Sequence, residues 1–112
     1  MRFMMMIKTP EGAAPNPDLY AAVGKLSQEM AAAGVLLETG GLAPSARGAR
    51  IRLSDATLTV TDGPFTEAKE YLGGFILVTA RDMNEAIRIA AGIPLAKYGS
   101  IEVRPVMMFG DE

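Results

Sequence analysis

Leu72-Gly73-Gly74-Phe75-Ile76-Leu77-Val78-Thr79-Ala80 is the longest apolar stretch of the chain. It is too short to span a membrane as a helix, and it lacks the polar alternation of a strand with one wet face. It therefore reads as a central β-strand buried on both sides. Downstream, Asp82 followed three residues later by Glu85 has the pattern of a capping box, with Asp in place of Ser or Thr. It opens a helix whose apolar stripe is Met83, Ala86, Ile87 and Ala90, stopped by Gly92 and Pro94. Ile101 to Phe109 follows as the last strand.

Upstream, Asp62-Gly63-Pro64 separates the central strand from a hairpin. Ile51 and Leu53 alternate with Arg50 and Arg52, as in a half-exposed strand. Ser54-Asp55-Ala56 turns the chain, and Leu58 and Val60 alternate with Thr57, Thr59 and Thr61 on the way back. Before the hairpin, Val35-Leu36-Leu37-Glu38 reads as a strand, and Gly40-Gly41-Leu42-Ala43-Pro44-Ser45 as a loop. A first helix starts at Asn16-Pro17-Asp18, which combines a capping Asn, Pro at the first position and an acid in the first turn. Leu19, Val23, Leu26 and Met30 form its apolar stripe, and Gly34 sits where a C-terminal glycine ends a helix. Tyr20, beside the stripe, is expected to pack at the helix edge. Phe3 to Ile7, ended by Pro10, Gly12 and Pro15, is a short buried strand.

These elements form a single α+β domain over residues 1–112, read as a ferredoxin-like β-α-β-β-β-α-β order. Right-handed crossovers over both helices bring the first strand and the Leu72–Ala80 strand together at the centre of an antiparallel sheet. Both helices then cover one face. Alternation in the strands leaves a second apolar face, assigned, up to register, to Met4, Met6, Ile76, Val78, Val106 and Met108. At about 1.5–3 kcal/mol each, burying six such side chains contributes roughly 9–18 kcal/mol before association costs. Unless the chain's own loops bury it, a lone subunit would leave this surface wet, so a homodimer packed through it is expected.

Composition excludes several function classes. The 112 residues carry 11 basic and 13 acidic side chains, a net charge of −2. That balance offers no broad field for nucleic acid or anionic lipid, so neither nucleic acid nor a membrane is an expected partner. The chain has no cysteine and no histidine. Disulfides, thiol catalysis, thiolate or imidazole metal sites, and Ser-His-Asp or Cys-His machinery cannot be built from it alone. No metal and no cofactor is expected. The apolar run near the start is only five residues, Phe3 to Ile7, well short of a signal h-region, so a cytoplasmic protein is expected.

The densest polar segment is Asp62-Gly63-Pro64-Phe65-Thr66-Glu67-Ala68-Lys69-Glu70. Gly63 before Pro64 makes a stiff turn that fixes Asp62 at a strand end and projects Phe65. Glu67 and Lys69 share a side if the segment is extended; Glu67 and Glu70 are neighbours if it is helical. Carboxylates grouped near a lysine suit a general acid or base, with Asp62, Glu67, Lys69 and Glu70 as catalytic candidates. The plainer reading is a turn in which Asp62 caps amides and Lys69 makes a surface ion pair. Phe65, Arg52 and Arg104 are candidates for holding a small anionic or aromatic ligand. Arg104 has two further uses open to it, an ion pair with Glu102 or one with Glu70. A cleft between helices and sheet, bordered by Asp62–Glu70 and Arg104, is the expected site.

Asp62-Gly63-Pro64-Phe65, continued by Thr66 to Glu70 and by Leu72-Gly73-Gly74-Phe75, closely resembles the signature of the YCII-related, or DGPF-domain, family. Gly41-Leu42-Ala43-Pro44-Ser45 and Glu102-Val103-Arg104-Pro105-Val106 resemble its flanking motifs, in the expected order. The resemblance implies a ferredoxin-like fold that dimerises through its sheets as a dimeric α/β barrel. It implies either a small-molecule enzyme, with a His-Asp pair in a cleft, or a non-catalytic interaction module linked to transcription through extracytoplasmic-function sigma factors. The absence of histidine breaks the His-Asp proposal; only an acid such as Asp62 survives from it, in a changed role.

Overall fold

The structure, a computed structural model, describes residues 1–10, 17–65, 71–93 and 99–107. Its elements are β1 (Arg2–Thr9), α1 (Pro17–Ala32), β2 (Leu36–Gly41), a short 3₁₀ turn (Ser45–Arg47), β3 (Ala49–Ser54), β4 (Thr57–Asp62), β5 (Tyr71–Thr79), α2 (Met83–Ala91) and β6 (Ser100–Pro105). The main sheet runs β2-β5-β1-β6 with every neighbour antiparallel. The first strand and the long apolar strand lie side by side at its centre, as the crossover argument requires. The helices are separated by four strands, one more than the order β-α-β-β-β-α-β counts. β2 and β5 join the main sheet, whereas among the described residues β3 and β4 pair only with each other.

Both helices lie on one face. Met30 of α1 and Ala86 and Ala90 of α2 are buried against Phe3, Met5, Ile7, Ile76 and Val78. α1 begins at Pro17, as expected, while its proposed cap Asn16 lies outside the described residues. It ends where the Gly34 amide donates to Ala31 O and the Val35 amide to Met30 O. Gly34 takes a φ of +77°, a conformation that a Cβ disfavours. At α2, Asp82 Oδ1 accepts the Glu85 amide at 2.9 Å. Glu85 returns a bond to the Arg81 amide, one residue outside the usual capping-box partner. An acceptor of this kind contributes typically about 1 kcal/mol. The buried face of α2 is Ala86, Ala90 and the partly buried Ile89, whereas Met83 and Ile87 are exposed. Tyr20, expected to pack, is 62% exposed.

Register corrects the assignment of the second sheet face. Met5 pairs with Ile76, and Phe3 with Val78, and cross-strand partners share a face. Ile76 and Val78 are therefore on the helix side, at 1% and 0% exposure. The open face instead carries Phe75 and Leu77, opposite Met6 and Met4. All four are half-buried. Val106, whose amide donates to Arg2 O, continues this face; Met108 lies outside the described residues.

Gly40 and Gly41, expected in a loop, extend β2 and pair with Phe75 and Gly74. The hairpin β3–β4 turns through Asp55 and Ala56, with φ of 48° and 63°. That pair of positive φ values matches the right-handed twist of a tight two-residue hairpin. No helix among the described residues is long and apolar enough to cross a membrane.

Candidate functional site

The Asp62–Phe65 turn is built on a contact 18 residues back in the chain, at Ser45. The Gly63 amide donates to Gly48 O at 3.0 Å, and the Gly48 amide to Ser45 O at 2.9 Å. The Phe65 amide donates to Ser45 Oγ at 3.2 Å. Gly63 lies so close to the 3₁₀ turn that a Cβ there would be 1.7 Å from Ser45 O. Glycine is required at this position for space, which no property of the turn alone would reveal. The Gly63–Pro64 bond is cis.

Phe65, thus positioned, lies under the Arg50 guanidinium at 4.2 Å from ring centroid to Cζ. That distance lies well within the range of a cation–π contact. Arg50 pairs with Thr61, and Arg52 with Thr59, so both arginines occupy one face of the β3–β4 ribbon. Asp62 pairs with Ala49 and belongs by register to the opposite face, with Ile51 and Val60. Asp62 is exposed. The structure therefore brings Phe65 and Arg50 together, with Arg52 further along the same face, and puts Asp62 on the other side of the ribbon. Glu67, Lys69 and Glu70 lie outside the described residues.

Arg104 is elsewhere. It stands on the edge strand β6, opposite Met4. At about 4.8 Å per strand, β6 lies about 14 Å across the sheet from β2, the strand that leads to the turn. Arg104 Nε donates to Glu102 Oε2, and Lys8 Nζ lies 2.9 Å from Glu102 Oε1. The Lys8 ammonium, and after it the Arg104 guanidinium, hold the Glu102 carboxyl below the usual carboxylate range. Of the uses open to Arg104, the ion pair with Glu102 is present, while Glu70 lies outside the described residues.

A groove of about 530 Å³ lies between the helices, lined by Leu26, Met30, Val35 and Ile89 with Glu29, Glu85 and Arg88 at its rim. None of the described residues nominated from the sequence lines it. Sequence reasoning had not nominated Ser45 or Arg50 for the site. Ser45 is visible as the end of the Gly40–Ser45 loop and of its flanking motif, and Arg50 as a polar position in the hairpin's alternation.

The chain is 38% identical over 79 residues to an uncharacterized protein of Rhizobium meliloti (strain 1021), a match covering 69% of this chain and 64% of the relative's length. The YCII-related domain matches residues 1–110, nearly the whole sequence. The resemblance carried by the Asp62–Phe75 stretch and its flanking motifs thus extends from β1 through β6, and the chain belongs to the YCII-related domain family.

Proposed function

We propose that this YCII-related domain is a cytoplasmic homodimer that binds a small anionic or aromatic compound on the Arg50, Arg52 and Phe65 side of the Asp62–Phe65 turn, with Asp62, on the other face of the ribbon, outside that contact. The observation that carries the reading is the Arg50–Phe65 stack at 4.2 Å on a turn locked to Ser45. A guanidinium fixed over a ring face, with Arg52 two residues along the same ribbon face, offers charge and a flat apolar surface to one ligand. The locked backbone lowers the ordering cost of binding. Glu67, Lys69 and Glu70 follow the turn directly and remain candidates for proton transfer. Arg104 joins this site only when a second copy supplies it.

Benzoate, both anionic and aromatic, is the probe. Titrated into ¹⁵N-labelled protein, it is expected to shift the amides of Arg50, Arg52 and Phe65. Arg52→Ala should weaken binding about tenfold, the loss of one charge-assisted contact of roughly 1.4 kcal/mol. Shifts confined to the helix groove, or unchanged affinity in Arg52→Ala, would refute the reading.

The homodimer rests on the open face. Met4, Met6, Phe75 and Leu77 form an apolar patch that the subunit's own helices leave uncovered. Met4→Asp puts a carboxylate in its centre, next to Arg104 across the strand pair, so the subunit itself should stay folded. Sedimentation velocity at micromolar concentration is expected to give a dimer for the wild type and a monomer for Met4→Asp. A dimer of unaltered affinity in the variant would place the contact elsewhere.

A further inference from the structure

Among the described residues, the hairpin β3–β4 has little support within its own subunit. Its strands form a two-stranded sheet and pack chiefly on each other. Every residue of both strands is exposed except Arg50, which is half-buried. Such a ribbon is marginal in water unless a further layer packs on it. The cross-strand pairs Ile51–Val60 and Leu53–Leu58 give one face four apolar side chains, 59% to 72% exposed, with Asp62 at its base. Its base is fastened by the Gly63–Gly48 and Phe65–Ser45 bonds, so it projects as an arm. The radius of gyration is 16.0 Å, against about 13 Å for a compact chain of this length.

We infer that this arm is an exchanged clasp: each subunit seats its Ile51, Leu53, Leu58 and Val60 face on the sheet of a second copy, at the margin of the open face. The inference rests on the homodimer reading and names the part of the chain that completes the contact. Three observations select a second copy as the occupant. The same chain carries a second apolar patch, half-buried, on the face of its main sheet away from the helices, so one symmetric pairing dries both. The area suffices: at on the order of 100 Å² per side chain, two reciprocal arms remove roughly 1,600 Å² counting both sides, the size of a standard stable interface. Charge does not direct the apolar face to lipid or nucleic acid, because Arg50 and Arg52 lie on the opposite face of the ribbon.

The test is a double variant at the arm tip, Leu53→Asp with Leu58→Asp, compared with wild type and Met4→Asp by sedimentation. Both leucines are exposed, so the subunit should fold normally by circular dichroism. The expected result is a dissociation constant raised at least about 100-fold. A direct readout comes from Leu53→Cys, which places a unique thiol in a chain with no cysteine. Alkylation of that thiol by iodoacetamide should be slowed about tenfold or more in the dimer and recover on dilution. If the wild type is a dimer that Met4→Asp breaks, but the arm variant keeps wild-type affinity and the introduced thiol reacts freely, the clasp is wrong and the dimer stands. If the wild type is a monomer at these concentrations, the dimer reading fails and takes the clasp with it.

Discussion

Phe3→Ala is expected to destabilise the subunit by about 3–5 kcal/mol, the cost of deleting a buried aromatic side chain and leaving a cavity. Phe3 is 1% exposed and lies on the central strand β1, between Val78 of β5 and Pro105 of β6. It packs in the layer where Met30, Ala86 and Ala90 of the two helices meet the sheet. The helix side chains nearest the sheet are mostly small, so they have little length with which to refill the space. A loss of this size is a large share of the roughly 5–15 kcal/mol that holds a domain together. It should lower the melting temperature by about 10–20 °C. Urea unfolding followed by circular dichroism measures it. A loss under about 1 kcal/mol would mean that the core does not centre on β1.

The second large effect is expected at Gly63, and it should be local. An alanine Cβ would lie 1.7 Å from Ser45 O and 2.6 Å from Ser45 C, both backbone atoms. Neither can swing aside as a side-chain tip would, so the 3₁₀ turn and the β4 exit must separate. Overpacking of this kind costs typically about 1–3 kcal/mol and here should reach at least the upper end. The Gly63–Gly48 and Phe65–Ser45 bonds would go with it, and the Arg50–Phe65 stack depends on them. Amide hydrogen exchange in Gly63→Ala should therefore accelerate across β3 and β4 while β1 and β5 keep their protection. Uniform acceleration across the main sheet, or none anywhere, would contradict the account of the turn. Because the arm carries the proposed clasp and the base of the proposed site, the same variant is expected to lose benzoate shifts at Phe65.

Some of this architecture is legible from short windows of sequence. The cap at Asp82, the terminating role of Gly34, the entry of α1 at Pro17 and the alternation of the hairpin each depend on residues within about one turn or one strand. Local sterics and local hydrogen bonds decide them. The central position of the Leu72–Ala80 strand is legible as well, because a run without polar alternation has no wet side. The Asp62–Phe65 turn stands out for the same local reason, a glycine before a proline at a strand end.

What is not legible is set by contacts between distant parts of the chain. Parity divides β5 into Phe75 with Leu77 and Ile76 with Val78, but parity cannot say which pair meets the helices. The pairing of Met5 with Ile76 decides that, and a one-residue slip would invert it. The alternation of β3 and β4 predicts a half-buried hairpin, yet the hairpin stands clear of the core, with its apolar side exposed. The nominated residues share a segment or a charge type, but the fold puts Asp62 and Arg52 on opposite faces of one ribbon and sends Arg104 to a far edge.

By itself, the order of residues determined the kinds of element, the pairing of β1 with β5 at the centre, and the absence of any thiol or imidazole side chain, while its count of strands between the helices fell one short. Tertiary structure alone decided which sheet face is closed, that Gly63 must nest against Ser45, that Arg50 covers Phe65, and that the hairpin leaves the core as an arm. The division follows range. Propensity and alternation act between neighbours, whereas register and close approach depend on segments that only folding brings within a few ångströms of each other.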